Sequence, residues 1–258
     1  MLHTSPILTG YILILTVLLG VVMGSFCNAW AWRLAHGESI ATGRSHCAVC
    51  GHQLSARDLI PLVSWLSLHG KCRYCGEPIS ARYPAVELIS AAYYVSVVLR
   101  YDMSWSALRF LLIGSLLLTA ALVDLDQMEL PDGLLMASAF LAVLRVPEEG
   151  LAGLAHALMG AAAASVPLLL LVLLADRLMG RETMGGGDIK LMAVFGLHVG
   201  AFCSLFLLIA GCLVGLVFAI VTQKGKGNEF PFGPSLVLAG WITVLAGQPF
   251  LNWYLSLF

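Results

Sequence analysis

The feature that most constrains this chain is a series of long apolar segments separated by short charged ones. Eight can be traced, at 7–32, 84–99, 105–123, 133–146, 151–175, 189–199, 201–221 and 234–258. A bilayer core takes about 20 apolar helical residues to cross. Segments 133–146 and 189–199 are shorter, so their ends are the least defined. Only 11% of the 258 residues are charged, against about 25% in a soluble domain. That leaves too little polar surface to coat a water-soluble globule, and the mean hydropathy of +0.89 agrees. The expected fold is an all-α polytopic membrane protein with about eight transmembrane helices and membrane lipid as its main solvent. Segment 7–32 is too long for a signal-peptide core and lacks a small-residue cleavage site after it, so it reads as a retained helix. The formal net charge of −1 gives no basis for a nucleic-acid partner, and none is expected.

Lysine and arginine orient the bundle, because short cytosolic loops carry an excess of both. With the N-terminus outside, the inside segments are 33–83, 124–132, 176–188 and 223–233. They hold Arg33, Arg44, Arg57, Lys71, Arg73, Arg82, Arg177, Arg181, Lys224 and Lys226, with Lys190 just past the boundary. The outside receives only Arg100, Arg109 and Arg145. Eleven against three sets the N-terminus outside and divides the chain into a first transmembrane helix (1–32), a cytosolic domain (33–83) and a membrane domain (84–258).

The cytosolic domain contains Cys47-Ala-Val-Cys50 and Cys72-Arg-Tyr-Cys75, each followed by glycine (Gly51, Gly76). A C-x-x-C turn lets two thiolates converge on one metal, and two such turns complete a tetrahedral zinc sphere. The gap of 21 residues between Cys50 and Cys72 slightly exceeds the usual zinc-ribbon spacing. Two disulfides are the alternative, but the charge bias puts these thiols in the reducing cytosol. Zinc at Cys47, Cys50, Cys72 and Cys75 is the expectation. Cys27, Cys203 and Cys212 lie in apolar segments and read as small buried hydrophobes. His46, His52 and His69 read as surface residues beside a sphere already filled. Leu59, Ile60, Leu62, Val63, Trp65 and Leu66 either pack beneath the metal or lie on the membrane surface.

Ionisable residues at membrane helix ends are functional candidates by default. One cluster runs from Asp124 through Asp126 and Glu129 to Asp132; the other is Gly185-Gly186-Gly187-Asp188-Ile189-Lys190. Both fall on the cytosolic side, as one shared site requires. Two carboxylates sharing a proton can activate water and protonate a leaving amine. Three glycines beside one of them would let an extended substrate backbone approach. Structural alternatives stand beside this reading. Asp188 could cap a helix starting at Ile189 and Asp132 one after Pro131, while Asp126 and Glu129 read as solvated loop charges. A phosphate loop is disfavoured, because the Walker spacing is missing and an aspartate repels phosphate.

Six ordered motifs together resemble the type IV prepilin peptidase family, membrane aspartyl proteases with a Gly-x-Gly-Asp motif. They are Gly24-Ser25-Phe26-Cys27-Asn28, the paired C-x-x-C turns around Ile60-Pro61-Leu62-Val63-Ser64-Trp65, Tyr83-Pro84-Ala85-Val86-Glu87, Asp124-Leu125-Asp126 leading to Leu130-Pro131-Asp132, Gly185-Gly186-Gly187-Asp188-Ile189-Lys190, and Pro231-Phe232-Gly233-Pro234. Cys27 departs from the larger aliphatic residue usual there and reads as packing variation. The resemblance implies a catalytic pair at Asp124 and Asp188, with Asp126 the nearest competitor. It implies backbone approach at Gly185, Gly186 and Gly187, and a bacterial inner-membrane enzyme whose active site faces the cytosol. It implies prepilin or pseudopilin substrates cut after a glycine that ends a basic leader. It also implies N-methylation of the new terminus by S-adenosylmethionine, for which Asn28 and Glu87 are the candidates; helix-to-helix hydrogen bonding is their alternative role. A peptidase without methyl transfer, a cation transporter and a zinc-stabilised membrane scaffold remain as other readings.

Overall fold

The computed structural model describes residues 5–180, 184–222 and 231–257. Arg181, Lys224 and Lys226, three of the inside cations, lie outside the described residues, as does Phe258. The described residues are helical, without a strand, and divide into two compact units, Met1–Asp102 and Met103–Phe258.

In the first unit, α1 (Pro6–Ala35) opens on a proline at its first turn, where the missing N–H has no helical partner to lose. It packs against α3 (Arg82–Tyr101). The contact is a stripe of small residues. A Cβ on Gly20 would lie 2.7 Å from the Ala91 Cα, and one on Gly24 2.7 Å from the Glu87 Cα. Glycine four residues apart lets the two backbones touch, the interface that membrane helices favour. Between these helices the chain forms a small irregular domain with a 3-10 turn (Ala56–Leu59) and α2 (Val63–Ser67).

The second unit contains α4 (Trp105–Gln127), α5 (Asp132–Phe140), α6 (Val146–Met179), α7 (Gly186–Val199), α8 (Ala201–Thr222) and α9 (Gly233–Leu255). The fourth apolar segment does not stay α-helical: Leu141–Arg145 tightens into a 3-10 turn after α5. Gly150, at φ 65° and ψ −167°, then breaks the geometry near the start of α6. Leu117, Leu168, Leu191, Met192, Phe195, Leu207 and Leu236 form the core. At α7's last turn, Arg145 Nη1 donates to the Leu197 carbonyl (2.8 Å), placing a cation where the helix exposes carbonyl charge.

Five stretches are long and apolar enough to cross a membrane: Pro6–Ala35, Trp105–Gln127, Asp132–Met179, Ala201–Ile220 and Gly233–Leu255. Their outer faces carry exposed Ile14, Leu18, Leu170, Leu174, Leu213 and Ile220. The 14-residue α7 and α3, whose first turn is polar, are not among the five.

Candidate functional site

The two C-x-x-C segments fold into copies of one turn. The Gly51 N–H donates to the Cys47 carbonyl and the Gly76 N–H to the Cys72 carbonyl, each at 2.9 Å. The hairpins close through the bridges His46–Gln53 and Lys71–Pro78. Gly51 and Gly76 sit at φ +67° and +75°, which a side chain would strain. All four sulfurs lie within 4.8 Å of one another, and the Cys47 and Cys75 Sγ atoms are 3.9 Å apart. A disulfide would require about 2.05 Å; thiolates around a metal at about 2.3 Å stand roughly 3.8 Å apart in a tetrahedron. Backbone N–H groups of Cys50 and Val49 bring the Cys47 thiol down to about 6. Against the Glu77 N–H, burial and the neighbouring cysteines push the Cys75 thiol up to about 12. The metal-free cluster does not hold four thiolates at once, so it is the geometry that argues for a metal. The four cysteines can therefore hold a metal ion.

Asp58 pins the second turn to the 3-10 segment Ala56–Leu59 and its cap Ser55. Its carboxylate accepts from the Ser55 N–H (3.0 Å) and hydroxyl (2.7 Å), from Arg73 Nε (2.7 Å) and from the Tyr74 hydroxyl (3.1 Å). The Arg73 guanidinium, then the Ser55 hydroxyl, hold this carboxyl well below the usual carboxylate range.

Still within the first unit, a cavity of about 380 Å³ opens between the metal domain and helices α1 and α3. Trp32, His46, Trp65 and Tyr83 line it, together with Arg33 and Glu87. Trp65 is fixed by its Nε1–H, which donates to the Ile79 carbonyl at 3.1 Å. Arg33 is spent on the carbonyls of Ser39, Ile40, Thr42 and Gly43. Glu87 is 5% exposed. Its carboxylate takes the Leu62 N–H (2.7 Å) and a hydrogen bond from Ser25. Leu62 reaches that contact at φ 59° and ψ −51°, a conformation costly for a branched side chain. Asn28 is also buried, and its Nδ2 donates to the Tyr83 carbonyl (3.4 Å) at the start of α3.

In the second unit, Asp124 and Asp188 come to one place from separate helices. Asp124 is buried in the last turns of α4 and accepts the Gly233 N–H at 3.1 Å. Gly233 is the first residue of α9, so the donor belongs to a helix N-terminus, where N–H groups favour negative charge. A Cβ on Gly233 would stand 2.6 Å from Asp124 Oδ2. Leu130 lies against Gly233 and also against Gly187, the neighbour of Asp188. Asp188 is half-buried and close enough for the charge on Asp124 to act on it.

The capping expectations do not hold. Helix α7 begins at Gly186 rather than Ile189, with Gly185 as its N-cap, so Asp188 lies inside the first turn. Asp132 likewise follows its cap, Pro131, and binds Lys190 Nζ through both oxygens (2.7 and 2.9 Å). Asp126 and Glu129 are exposed. A Cβ on Gly185 would meet only Asp188 Oδ2, at 3.9 Å, and one on Gly186 nothing within 4 Å. Among the described residues nothing but Asp188 approaches these two positions, so the fold they form does not demand glycine there.

Residues 18–101 match the bacterial peptidase A24 N-terminal domain, and residues 111–220 match the type IV leader peptidase family. The chain belongs to the type IV leader peptidase family. It is 38% identical over 219 residues to a prepilin leader peptidase/N-methyltransferase of Aeromonas hydrophila, covering 83% of this chain and 76% of the relative. Similarly named proteins of Neisseria gonorrhoeae and Xanthomonas campestris pv. campestris are 32% and 33% identical, with coverage of 97% and 92% of both partners. No solved structure matches the chain.

Three site features escape sequence reasoning in this family member. Gly233 is flagged only as the glycine of Pro231-Phe232-Gly233-Pro234, with no hint that its N–H meets Asp124. Asp58 resembles any solvated loop acid. The Leu62 backbone donor has no residue-type signal at all.

Proposed function

We propose that this enzyme is a multi-pass inner-membrane aspartyl endopeptidase. In this reading it removes the basic leader from prepilins or pseudopilins at the cytosolic face, then N-methylates the new terminus from S-adenosylmethionine. The observation that carries the peptidase reading is the convergence of Asp124 and Asp188, from distant parts of the sequence, beside an open glycine-rich edge.

A water between the two carboxylates attacks the scissile carbonyl carbon. One carboxylate takes the proton that the water loses; the other, entering protonated, gives its proton to the departing amine nitrogen. The C–N bond breaks, leaving a carboxyl on the leader and a free amine on the mature chain. The Gly233 N–H fixes one oxygen of Asp124 through this sequence, and Gly185 and Gly186 leave room for an extended peptide. Cys47, Cys50, Cys72 and Cys75 hold zinc, which supplies a cross-link to a domain too small for a sufficient core of its own. S-adenosylmethionine supplies an electrophilic methyl group, and Asn28 and Glu87 belong to that second activity.

Eight crossings fit this assignment. Asp132–Met179 divides in two at Gly150, which makes six of the five apolar stretches, and α3 and α7 bring the total to eight. The exposed apolar faces then meet lipid, with the N-terminus outside and domains at 1–32, 33–83 and 84–258. Cysteine labelling from outside intact cells should reach a probe near Glu148 or Tyr101 and miss one near Lys226.

The decisive test is cleavage of a purified prepilin by Asp124→Asn and Asp188→Asn. Asparagine keeps the shape but cannot share the proton, so each variant should lose at least about a hundredfold in rate. Near-parental turnover in either would move its role elsewhere, first to Asp126. A cation transporter or scaffold would show no cleavage by the parent.

A further inference from the structure

We propose that residues 128–132 form a strap that sets the spacing of Asp124 and Asp188, with Leu130, Asp132 and Lys190 as positioning residues for cleavage. This rests on the aspartate pair being the peptidase centre and deepens that reading. The strap is fastened at one end to Asp124 itself. Helix α4 stops at Met128, which turns left-handed at φ 58° and ψ 32° and donates its N–H to the Asp124 carbonyl at 2.9 Å. At the other end, both Asp132 oxygens accept from Lys190 Nζ, at 2.7 and 2.9 Å. Lys190 stands two residues beyond Asp188, in the first turns of α7. A short piece of chain therefore runs from one aspartate to the neighbourhood of the other.

Leu130, in the middle of the strap, works as a wedge. It is packed against the core of the second unit. A Cβ on Gly187 would lie 3.2 Å from the Leu130 Cβ, and one on Gly233 3.2 Å from its Cδ2. Those two glycines are the immediate neighbour of Asp188 and the N–H donor to Asp124. Glycine at 187 and 233 thus lets one side chain touch the backbone on both sides of the site, a role that Gly185 and Gly186 do not share. The wedge resists closer approach of the two helix starts, and the tie to Lys190 resists their separation. Two acids that handle one water and one proton need such control, because misplacement by about 1 Å can cost about a hundredfold in rate. The ordinary reading of the ion pair is surface stabilisation. Its side chains are 62% and 56% exposed, however, and exposed pairs contribute little to stability. A second reading, Asp132 as a contact for the basic leader, places its effect on substrate binding instead of on turnover.

Full-length protein in lipid nanodiscs tests the strap, with prepilin cleavage and thermal unfolding followed together. Asp132→Asn and Lys190→Gln should each lower kcat at least about fivefold, with KM and the unfolding midpoint nearly unchanged. The double variant should lose no more than either single, because each change breaks the same tie. Lys190→Arg keeps the charge pair and should recover most of the rate. Leu130→Ala, which leaves the pair intact, should also act through kcat. A raised KM at parental kcat would overturn the proposal and make Asp132 a contact for the leader. Losses that add in the double variant, or that follow the unfolding midpoint, would overturn it in favour of ordinary surface roles. Parental kcat in every variant, beside an inactive Asp124→Asn, would end the strap and leave the peptidase centre standing. A fully active Asp124→Asn would remove both.

Discussion

Glu87 and Asp124 are both buried helix carboxylates, each 5% exposed, yet the two units surround them differently. Glu87 lines the cavity of the first unit and is held by the backbone of Leu62, a residue at positive φ. Asp124 is backed by the start of α9, and Gly185 and Gly186, the neighbours of Asp188, are exposed. A carboxylate on a cavity wall suits a small ligand. One at an open edge suits a chain that must lie across it and leave in two pieces. The difference teaches that a buried acid in this fold is read by the space in front of it.

The strongest way to break this division is to remove the metal. A Cys47→Ser, Cys50→Ser double variant should lose essentially all of its bound zinc, of which the parent should carry about one per chain. Because the metal domain forms one wall of the cavity, methylation should fall much further than leader cleavage. Equal losses in the two assays would contradict separate sites.

Gly233→Ala probes the other unit. The new methyl would crowd Asp124 Oδ2 at 2.6 Å and displace it from its N–H donor. Cleavage should drop by about tenfold or more through kcat, corresponding to roughly 1.4 kcal/mol of lost transition-state stabilisation. Parental kcat in a folded variant would show that the Gly233 contact does not orient Asp124.

Asp58→Asn should loosen the metal domain while leaving the Asp124 and Asp188 site chemically intact. The Asp58 carboxyl is held below its ordinary range by Arg73. Its contribution is therefore present above the unfolded value, about 4, and is lost as the pH falls below it. Hydrogen exchange at 72–75 should quicken in the variant at neutral pH, and the parent should approach the variant on acidification. Identical exchange at every pH would make Asp58 a bystander.

The smallest effect belongs to the exposed Glu129, near the peptidase site. If the acidic run from Asp124 to Asp132 draws basic leaders, Glu129→Gln should raise KM a few-fold, corresponding to about 1 kcal/mol or less. The effect should shrink as salt screens the charge over about 8 Å. Salt-independent kinetics equal to the parent would end that idea.

Much of this was legible in the sequence because it depends on local pattern. Each of the eight apolar segments contains helix, since lipid-length hydrophobicity is a strong signal, and the cysteine tetrad follows from spacing alone. What escaped depends on contacts between distant residues or on backbone geometry. The start of α7 at Gly186 was hidden because three glycines look like a loop, although Gly185 in an extended conformation begins a helix without difficulty. The 3-10 turn at Leu141–Arg145 has ordinary helix-forming residues, so nothing marks it. Gly233 on Asp124 and Leu62 on Glu87 are main-chain donors, and a sequence names side chains only.

One assay reaches the central claim, that cleavage resides in the aspartate pair and methyl transfer in the other unit. Asp124→Asn is given two substrates in parallel, an intact prepilin and a mature pilin already freed of its leader. The account predicts no detectable cleavage of the first and methylation of the second at a rate close to the parent's. Cleavage of the prepilin, or loss of methylation together with cleavage in a folded protein, would contradict it.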